Sequence, residues 1–177
     1  MLIGKFFNKI DLKYRSRYFS GLCFNSQTCK KNNIFFAIKG NETDGNKFIG
    51  DAIKKGARII ISNKKFEGIK QNVLYVRSKN VRKVLSETAY KICKNKPKNL
   101  IAVTGTNGKS SIADFYLQIL KLNKKKAASI GTLGVNTGGY KKNITNTTLD
   151  PIKLSAYLEK IKKKKIENVI LEASSHG

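Results

Sequence analysis

The chain has 177 residues, of which 40% are hydrophobic, and it carries a formal net charge of +25. This length and composition exclude a disordered chain and leave room for one large domain or two small ones with a buried core. The high charge suggests a nucleic-acid or membrane-surface partner as one hypothesis. The lysines, however, are spread over the whole length and arginine, the usual residue for recognising bases, is scarce. This pattern favours solvent-exposed lysine-rich faces over a nucleic-acid-binding surface.

Three cysteines, Cys23, Cys29 and Cys93, bear on the redox compartment. They form no CxxC and their number is odd, so the pattern predicts neither a disulfide framework nor a zinc site, and it favours a reducing cytoplasm. No run approaches the roughly 20 apolar residues that a membrane span requires. Lys5 and Lys9 interrupt the N-terminus, which is unlike a signal peptide. We therefore expect a cytoplasmic protein with no membrane partner.

The first part of the chain, residues 1–97, is predicted to form a small α/β domain. Short apolar runs predict strands, and apolar residues at helical spacing predict helices. The predicted strands cover residues 34–38, 58–62 and 73–76, and the predicted helices cover about 47–55 and 80–94. Gly56 is a candidate helix C-cap, and the segment 95–99, which contains Pro97, is predicted to be a linker.

The second part, residues 98–177, alternates strands and helices, which predicts a parallel α/β sheet. The predicted strands cover residues 100–103, 127–130 and 169–171, and Pro151 is placed to begin a helix. Another helix follows a glycine-rich loop and carries one apolar face, composed of Ile112, Phe115, Tyr116, Ile119 and Leu120. The predicted fold class is therefore α/β: a small N-terminal α/β substrate domain followed by a partial P-loop parallel-sheet central domain.

The glycine-rich loop, Thr104-Gly105-Thr106-Asn107-Gly108-Lys109-Ser110, lies between a predicted strand and a predicted helix. Glycines let the backbone approach an anion, and the N–H groups of such a loop and helix N-terminus bind phosphate. The lysine can contact terminal phosphates and the serine hydroxyl a Mg²⁺ ion. The full Walker A pattern has a glycine at the position of Val103, so the match of this loop to the pattern is incomplete. Its place between a predicted strand and a predicted helix strengthens the prediction of a phosphate-binding loop. The alternative is an ordinary glycine turn with a surface lysine.

Other polar residues follow predicted strands, at the edge of an open α/β sheet where ligands bind. Glu172 ends an apolar strand and could supply a carboxylate to a nucleotide-bound metal, or it could simply face water. Asn146-Thr147-Thr148 and Ser174-Ser175 could bind a polar ligand, or they could be turn and cap residues. His176 is a candidate base or ligand, with a solvent-exposed histidine as the alternative.

These motifs, in this order and spacing, resemble the Mur ligase family, and within it the enzymes that add a diamino acid in peptidoglycan synthesis. The resemblance runs from about Phe24 to the end of the chain. It rests on Asn25-Ser26-Gln27, residues 33–40, Asp44-Gly45, residues 103–111, Gly131-Thr132-Leu133-Gly134, Asn146-Thr147-Thr148 and residues 172–177.

The resemblance implies an ATP-dependent carbon–nitrogen ligase that uses Mg²⁺. ATP would phosphorylate the free carboxylate of UDP-MurNAc-L-Ala-D-Glu, and the amine of a diamino acid would attack the acyl phosphate. Catalysis would then consist of positioning and charge neutralisation. The implied partners are the UDP-MurNAc-dipeptide and ATP, without nucleic acid, and we expect a monomer.

The resemblance also implies the roles of individual residues. Lys109 would be the catalytic residue. The implied ATP-binding residues are Gly105, Thr106, Asn107, Gly108, Lys109, Ser110 and Ser111. Ser110 and Glu172 would bind magnesium. The implied substrate-binding residues are Phe24, Ser26, Asn146, Thr147, Thr148 and Ser174.

The family's central domain continues beyond the point that corresponds to Gly177, and a further domain binds the incoming amino acid. The resemblance therefore implies a truncated chain that is inactive alone. One alternative is a basic nucleotide- or nucleic-acid-binding P-loop module without ligase activity, which tight DNA binding at physiological salt would support. Another is a different Mur-like ligase, such as one that adds glutamate to folate, but the N-terminal motifs argue against it.

Overall fold

The computed structural model describes residues 1–7, 10–40, 42–139, 141–142 and 148–174. The chain forms two compact units, Met1–Lys91 and Ile92–Gly177. None of the helices in the described ranges has the length and apolar character of a membrane span. The predicted α/β class with parallel sheets is confirmed, and each unit contains one five-stranded sheet.

The sheet of the first unit has the strand order β1-β2-β3-β5-β4. Its strands are β1 (Gly21–Cys23), β2 (Asn33–Phe36), β3 (Ile59–Ser62), β4 (Gly68–Lys70) and β5 (Val73–Arg77). All neighbours are parallel except β4, which pairs antiparallel with β5 at the edge. Every residue of β2 and β3 is buried, as expected of parallel strands covered on both faces. The sequence predicted β2, β3 and β5 but missed β1 and β4, which have only three residues each.

Two helices complete the first unit, α1 (Ile49–Lys54) and α2 (Val81–Ile92). The predicted helix over 47–55 is partly wrong, because its start is a 3-10 helix, Gly45–Phe48, capped by the Asp44 side chain. Gly56 follows α1 with φ of +105°, so the predicted C-cap glycine is confirmed. The predicted helix over about 80–94 is α2, which buries Val81, Leu85, Thr88 and Ala89.

The sheet of the second unit has the order β6-β10-β7-β8-β9. Its strands are β6 (Asn99–Val103), β7 (Ala127–Gly131), β8 (Gly134–Asn136), β9 (Lys141–Lys142) and β10 (Asn168–Glu172). The first three in this order are parallel, and β8 and β9 extend the sheet antiparallel. The predicted parallel sheet is therefore confirmed for β6, β10 and β7. The short strands β8 and β9 were not predicted from the sequence.

The helices of the second unit are α3 (Lys109–Leu122) and α4 (Pro151–Lys163). The predicted start of α4 is confirmed, with Asp150 accepting hydrogen bonds from two backbone N–H groups of its first turn. The apolar face predicted for α3 is only partly covered. Tyr116 and Leu120 are partly buried and the neighbouring Ala113 is buried, whereas Ile112, Phe115 and Ile119 are 51%, 60% and 57% exposed. Helical spacing reveals an apolar stripe but not whether a partner covers it.

The cysteines also differ from the expectation, because Cys23 and Cys29 form a disulfide with Cα atoms 5.4 Å apart. Cys23 ends β1, and a 3-10 helix, Ser26–Thr28, then turns the chain so that Cys29 returns beside it. This turn could not be read from cysteine spacing. Cys93 is free and buried in the second unit.

Candidate functional site

The glycine-rich loop follows the carboxyl end of β6 and leads directly into α3. Gly105 and Gly108 adopt φ of +152° and +79°, a region that side chains with a Cβ rarely enter. Gly108 is also the N-cap of α3 and has no side chain to accept from the first turn of the helix. The first N–H groups of a helix have no intrahelical partner, so this end of α3 is suited to bind an anion.

Lys109 places a positive charge at the same loop. Its ammonium donates hydrogen bonds to the carbonyl oxygens of Gly105 at 2.7 Å and Thr106 at 3.3 Å. The lysine side chain therefore folds back over the loop rather than extending into solvent. Thr106, Asn107 and the other loop residues before Lys109 are exposed, so a ligand can reach the backbone.

Glu172 lies at the carboxyl end of β10 and is only 5% exposed. Its Oε2 accepts hydrogen bonds from Ser110 Oγ at 2.9 Å and from Thr132 Oγ1 at 3.0 Å. Three elements therefore converge on one carboxylate: the start of α3, the turn after β7, and β10. A buried carboxylate is costly unless it is hydrogen-bonded and paired with a cation, so this arrangement favours a cation beside Glu172.

Gly131 makes room for that carboxylate. A Cβ at Gly131 would lie 2.2 Å from Glu172 Cδ, which is far inside contact distance, so only glycine allows Glu172 its position. Gly131 and Thr132 belong to the motif Gly131-Thr132-Leu133-Gly134, but the sequence predicts no place for either in the site. Their place after β7, a neighbour of β10 in a parallel sheet, was the available signal.

The oxygens at this position suit magnesium. Carboxylate and hydroxyl oxygens are hard ligands, and Mg²⁺ at a nucleotide site is commonly held by one or two protein groups together with phosphates and water. Within the described residues, no group of three or more His, Cys, Asp or Glu side chains forms a metal cluster. Ser110 and Glu172 therefore fit a shared nucleotide–metal site better than a metal site built from protein ligands alone.

Thr148 and Ser174, two of the predicted substrate-binding residues, lie together. Their hydroxyl oxygens are 3.1 Å apart, and the backbone N–H of Ser174 donates to Thr148 Oγ1 at 2.9 Å. Ser174 comes two residues after Glu172, at the carboxyl edge of β10. Asn146 and Thr147, like His176, lie outside the described residues.

The two predicted substrate-binding residues of the first unit lie in the turn between Cys23 and Cys29. Phe24 is 39% exposed and Ser26 is 7% exposed. The Asn25 side chain caps the 3-10 helix of this turn by accepting from Gln27 N–H at 2.9 Å. The turn therefore offers one aromatic ring to a ligand and keeps the serine largely inside.

This geometry defines an α/β protein with a glycine-rich loop at a helix N-terminus and an adjacent buried carboxylate. The Mur ligase middle domain matches residues 103–177, and the Mur ligase family catalytic domain matches residues 18–92. The chain belongs to the Mur ligase family.

Similar proteins are named as ligases. The chain is 46% identical over 161 residues to the UDP-N-acetylmuramoyl-L-alanyl-D-glutamate–2,6-diaminopimelate ligase of Rickettsia montanensis, covering 89% of this chain and 33% of that protein. It is 34% identical over 158 residues to the enzyme of the same name from Bradyrhizobium diazoefficiens, covering 89% of this chain and 32% of that protein. The chain therefore spans about a third of the length of the curated relatives it matches.

Solved structures agree with this fold. A structure of a UDP-N-acetylmuramoyl-L-alanyl-D-glutamate–2,6-diaminopimelate ligase matches with a TM-score of 0.82 and 26% identity, covering all of this chain and 36% of the solved chain. The MurF ligase of Thermotoga maritima in complex with ADP matches with a TM-score of 0.54 and 22% identity, covering 87% of this chain and 32% of that chain. At that identity the second likeness shows the fold alone.

Proposed function

We propose that this chain supplies the nucleotide site and the UDP-substrate unit of a cytoplasmic, ATP-dependent ligase. The reaction would join a diamino acid to UDP-N-acetylmuramoyl-L-alanyl-D-glutamate, the substrate for which the relatives are named. The observation that carries the proposal is the convergence of Ser110 and Thr132 on the buried carboxylate of Glu172, beside the glycine-rich loop. We assign residues 1–97 to the substrate domain and residues 98–177 to the ATP-binding domain.

The chain's own groups account for nucleotide binding. The N–H groups from Gly105 to Ser111 surround the phosphates, and the Lys109 ammonium neutralises the charge that develops on the transferred phosphoryl group. Ser110 and Glu172 would hold Mg²⁺, which when bound neutralises the phosphate oxygens and orients them. Thr132 keeps the Glu172 carboxylate in place through its hydrogen bond.

The acceptor carboxylate must lie in line with the terminal phosphate. A carboxylate is a poor electrophile, and its phosphorylation supplies the leaving group that an attacking amine needs. The hydroxyls of Thr148 and Ser174, which lie 3.1 Å apart, would hydrogen-bond the peptide end of the substrate. Their support is that Ser174 comes two residues after Glu172. Ser26, Asn146 and Thr147 are further proposed contacts of the UDP-sugar peptide, whereas Phe24 would contact the uridine side.

A chimera tests this proposal. Residues 1–177 would replace the equivalent third of the Rickettsia montanensis ligase, and phosphate release would be measured with ATP, UDP-N-acetylmuramoyl-L-alanyl-D-glutamate and 2,6-diaminopimelate. We expect release that needs all three compounds, and Lys109→Ala should lower it by about 100-fold or more, the usual effect of removing a transition-state donor. The 177-residue chain alone should release no phosphate.

The control is Gly50→Ala, a change at an exposed position of α1 where an added Cβ meets no neighbour. This variant should keep the activity of the unmodified chimera. A folded chimera whose phosphate release is the same with Lys109→Ala would refute the proposed site.

A further inference from the structure

We propose that Cys23 and Cys29 are a reversible redox modification site that fixes the turn between them and thereby strengthens uridine-nucleotide binding. The reactant is a low-molecular-weight disulfide, such as glutathione disulfide. The redox site itself stands on the geometry of the first unit. Its effect on ligand affinity rests also on the proposed function of Phe24 and Ser26.

The two cysteines lie at the two ends of one short turn. Cys23 is the last residue of β1, held in the sheet opposite Phe35 of β2. Cys29 directly follows the 3-10 helix, and its N–H donates to the carbonyl of Ser26 at 3.3 Å. Both side chains are buried, at 2% and 6% exposed. The disulfide therefore ties the far end of the turn to a fixed strand of the core.

The hydrogen bonds inside the turn are local. The Asn25 side chain accepts from Gln27 N–H, and the Asn25 carbonyl accepts from both the N–H and the hydroxyl of Thr28. These bonds hold the turn to itself rather than to β1. Breaking the disulfide therefore removes a covalent constraint on the placement of Phe24 and Ser26, while the turn itself can persist.

The reduced state also fits this environment. Cys23 Sγ lies 3.6 Å from the carbonyl oxygen of Ile34, so a thiol there has an acceptor for its hydrogen. Cys93 differs, because no cysteine is paired with it. A lone thiol cannot close an intramolecular disulfide, which makes Cys93 the matched control.

The exchange balances without a further reactant. The thiolate of one cysteine of the pair attacks the small disulfide, forms a mixed disulfide and releases one small thiol. The thiolate of the second cysteine attacks the protein sulfur of that mixed disulfide and releases the second small thiol. Two protein thiols are oxidised and one small disulfide is reduced. Disulfides in reducing compartments are usually transient and redox-sensing, which is consistent with a reversible pair in a cytoplasmic enzyme.

The expected consequence is pre-organisation. In the oxidised chain the disulfide already fixes the position of the turn for binding. A ligand of the reduced chain must also fix that position. Ordering one or two side chains and their backbone at a binding site weakens affinity by about 3- to 10-fold. The reduced chain should therefore bind the same uridine nucleotide correspondingly less tightly.

The test compares the whole 177-residue chain after equilibration with oxidised and with reduced glutathione. Non-reducing peptide mapping should find the Cys23–Cys29 bond only in the oxidised sample, with Cys93 open to alkylation after unfolding in both. Hydrogen exchange of residues 24–28 should be faster in the reduced sample. Calorimetric titration with UDP-N-acetylmuramoyl-L-alanyl-D-glutamate should give the 3- to 10-fold difference.

Variants distinguish an effect of the Cys23–Cys29 bond from a general effect of the reductant on the chain. Cys93→Ser should respond to glutathione as the unmodified chain does, and the double variant Cys23→Ser/Cys29→Ser should match the reduced chain in both buffers. Failure to form the bond, or equal exchange of residues 24–28 in the two states, would overturn the inference. If the turn responds but neither state binds the nucleotide, the redox site stands and the proposed function fails.

Discussion

The two units of the chain differ in how completely their central elements are buried. In the first unit, β2 and β3 are buried at every residue. In the second, the strand that leads into the glycine-rich loop, β6, is largely exposed, and α3 presents an uncovered apolar stripe. The proposed chemistry therefore lies on the unit whose central elements are more exposed in this chain, which spans about a third of the length of the curated relatives it matches.

The largest effect should come from the first unit's core. Phe35 of β2 is fully buried, and its replacement in Phe35→Ala should lower the free energy of unfolding by about 3–5 kcal/mol through lost burial and a residual cavity. Urea unfolding followed by circular dichroism measures it. A loss below about 1 kcal/mol, the typical cost of an average point mutation, would show that this core is not the tightly packed region.

A smaller effect should follow from crowding the site in the second unit. In Gly131→Ala the new Cβ would overlap the Glu172 carboxylate, and relief of such overpacking costs about 1–3 kcal/mol. Urea unfolding measures this loss. Gly50→Ala is the control of opposite sign, because alanine in an open helical position stabilises by about 0.5–1 kcal/mol. Equal stability of the two variants would contradict the close contact between Gly131 and Glu172.

The exposed stripe of α3 should contribute almost nothing. Phe115 is 60% exposed, so Phe115→Ser should change the free energy of unfolding of this chain by no more than about 0.5 kcal/mol. The difference between the stability losses of Phe115→Ser and Phe35→Ala, measured in the same urea assay, is the sharpest contrast between the two units. A loss of several kcal/mol would mean that the stripe is packed in solution.

The smallest effect concerns a surface ion pair of the second unit. A hydrogen bond from the Lys162 ammonium and another from the Lys98 backbone N–H lower the pKa of Glu167. A depressed pKa means that any stability from this pair is present above the pKa of the unfolded chain and is lost as the pH falls through the folded pKa. An NMR titration should place the Glu167 midpoint below that of an unpaired glutamate, and Lys162→Met should raise it. An unchanged midpoint in that variant would refute the pairing.

The sequence predicted those parts of the fold that depend on local patterns. Runs such as residues 34–38 and 58–62 are recognisable as strands because buried parallel strands consist of β-branched and aromatic residues. The approach of Ser110 to Glu172 was also foreseeable, since each follows a strand of one parallel sheet, although their catalytic roles stay predictions. The place of Thr132 after β7 carried the same strand-end signal. The disulfide was not foreseeable, because it depends on how a turn folds back in three dimensions.

The partial cover of the apolar face of α3 has a different origin. Periodicity identified Ile112, Phe115 and Ile119 as one face, but burial is decided by the neighbours of a helix rather than by its own sequence. The helix α3 contacts β7, β10 and β6, and Ala113 is its buried residue. A period of 3.6 residues therefore predicted the helix and its apolar stripe without predicting what covers the stripe.

The most direct test of the central claim is the magnesium dependence of ATP binding to this chain. Calorimetric titrations with ATP would be run with and without Mg²⁺, for the unmodified chain and for Glu172→Gln. If Ser110 and Glu172 hold a nucleotide-bound metal, Mg²⁺ should tighten ATP binding to the unmodified chain. The same ion should have little effect on Glu172→Gln, whose fold would be checked by circular dichroism. Equal magnesium dependence in the two proteins, or no ATP binding by either, would contradict the account.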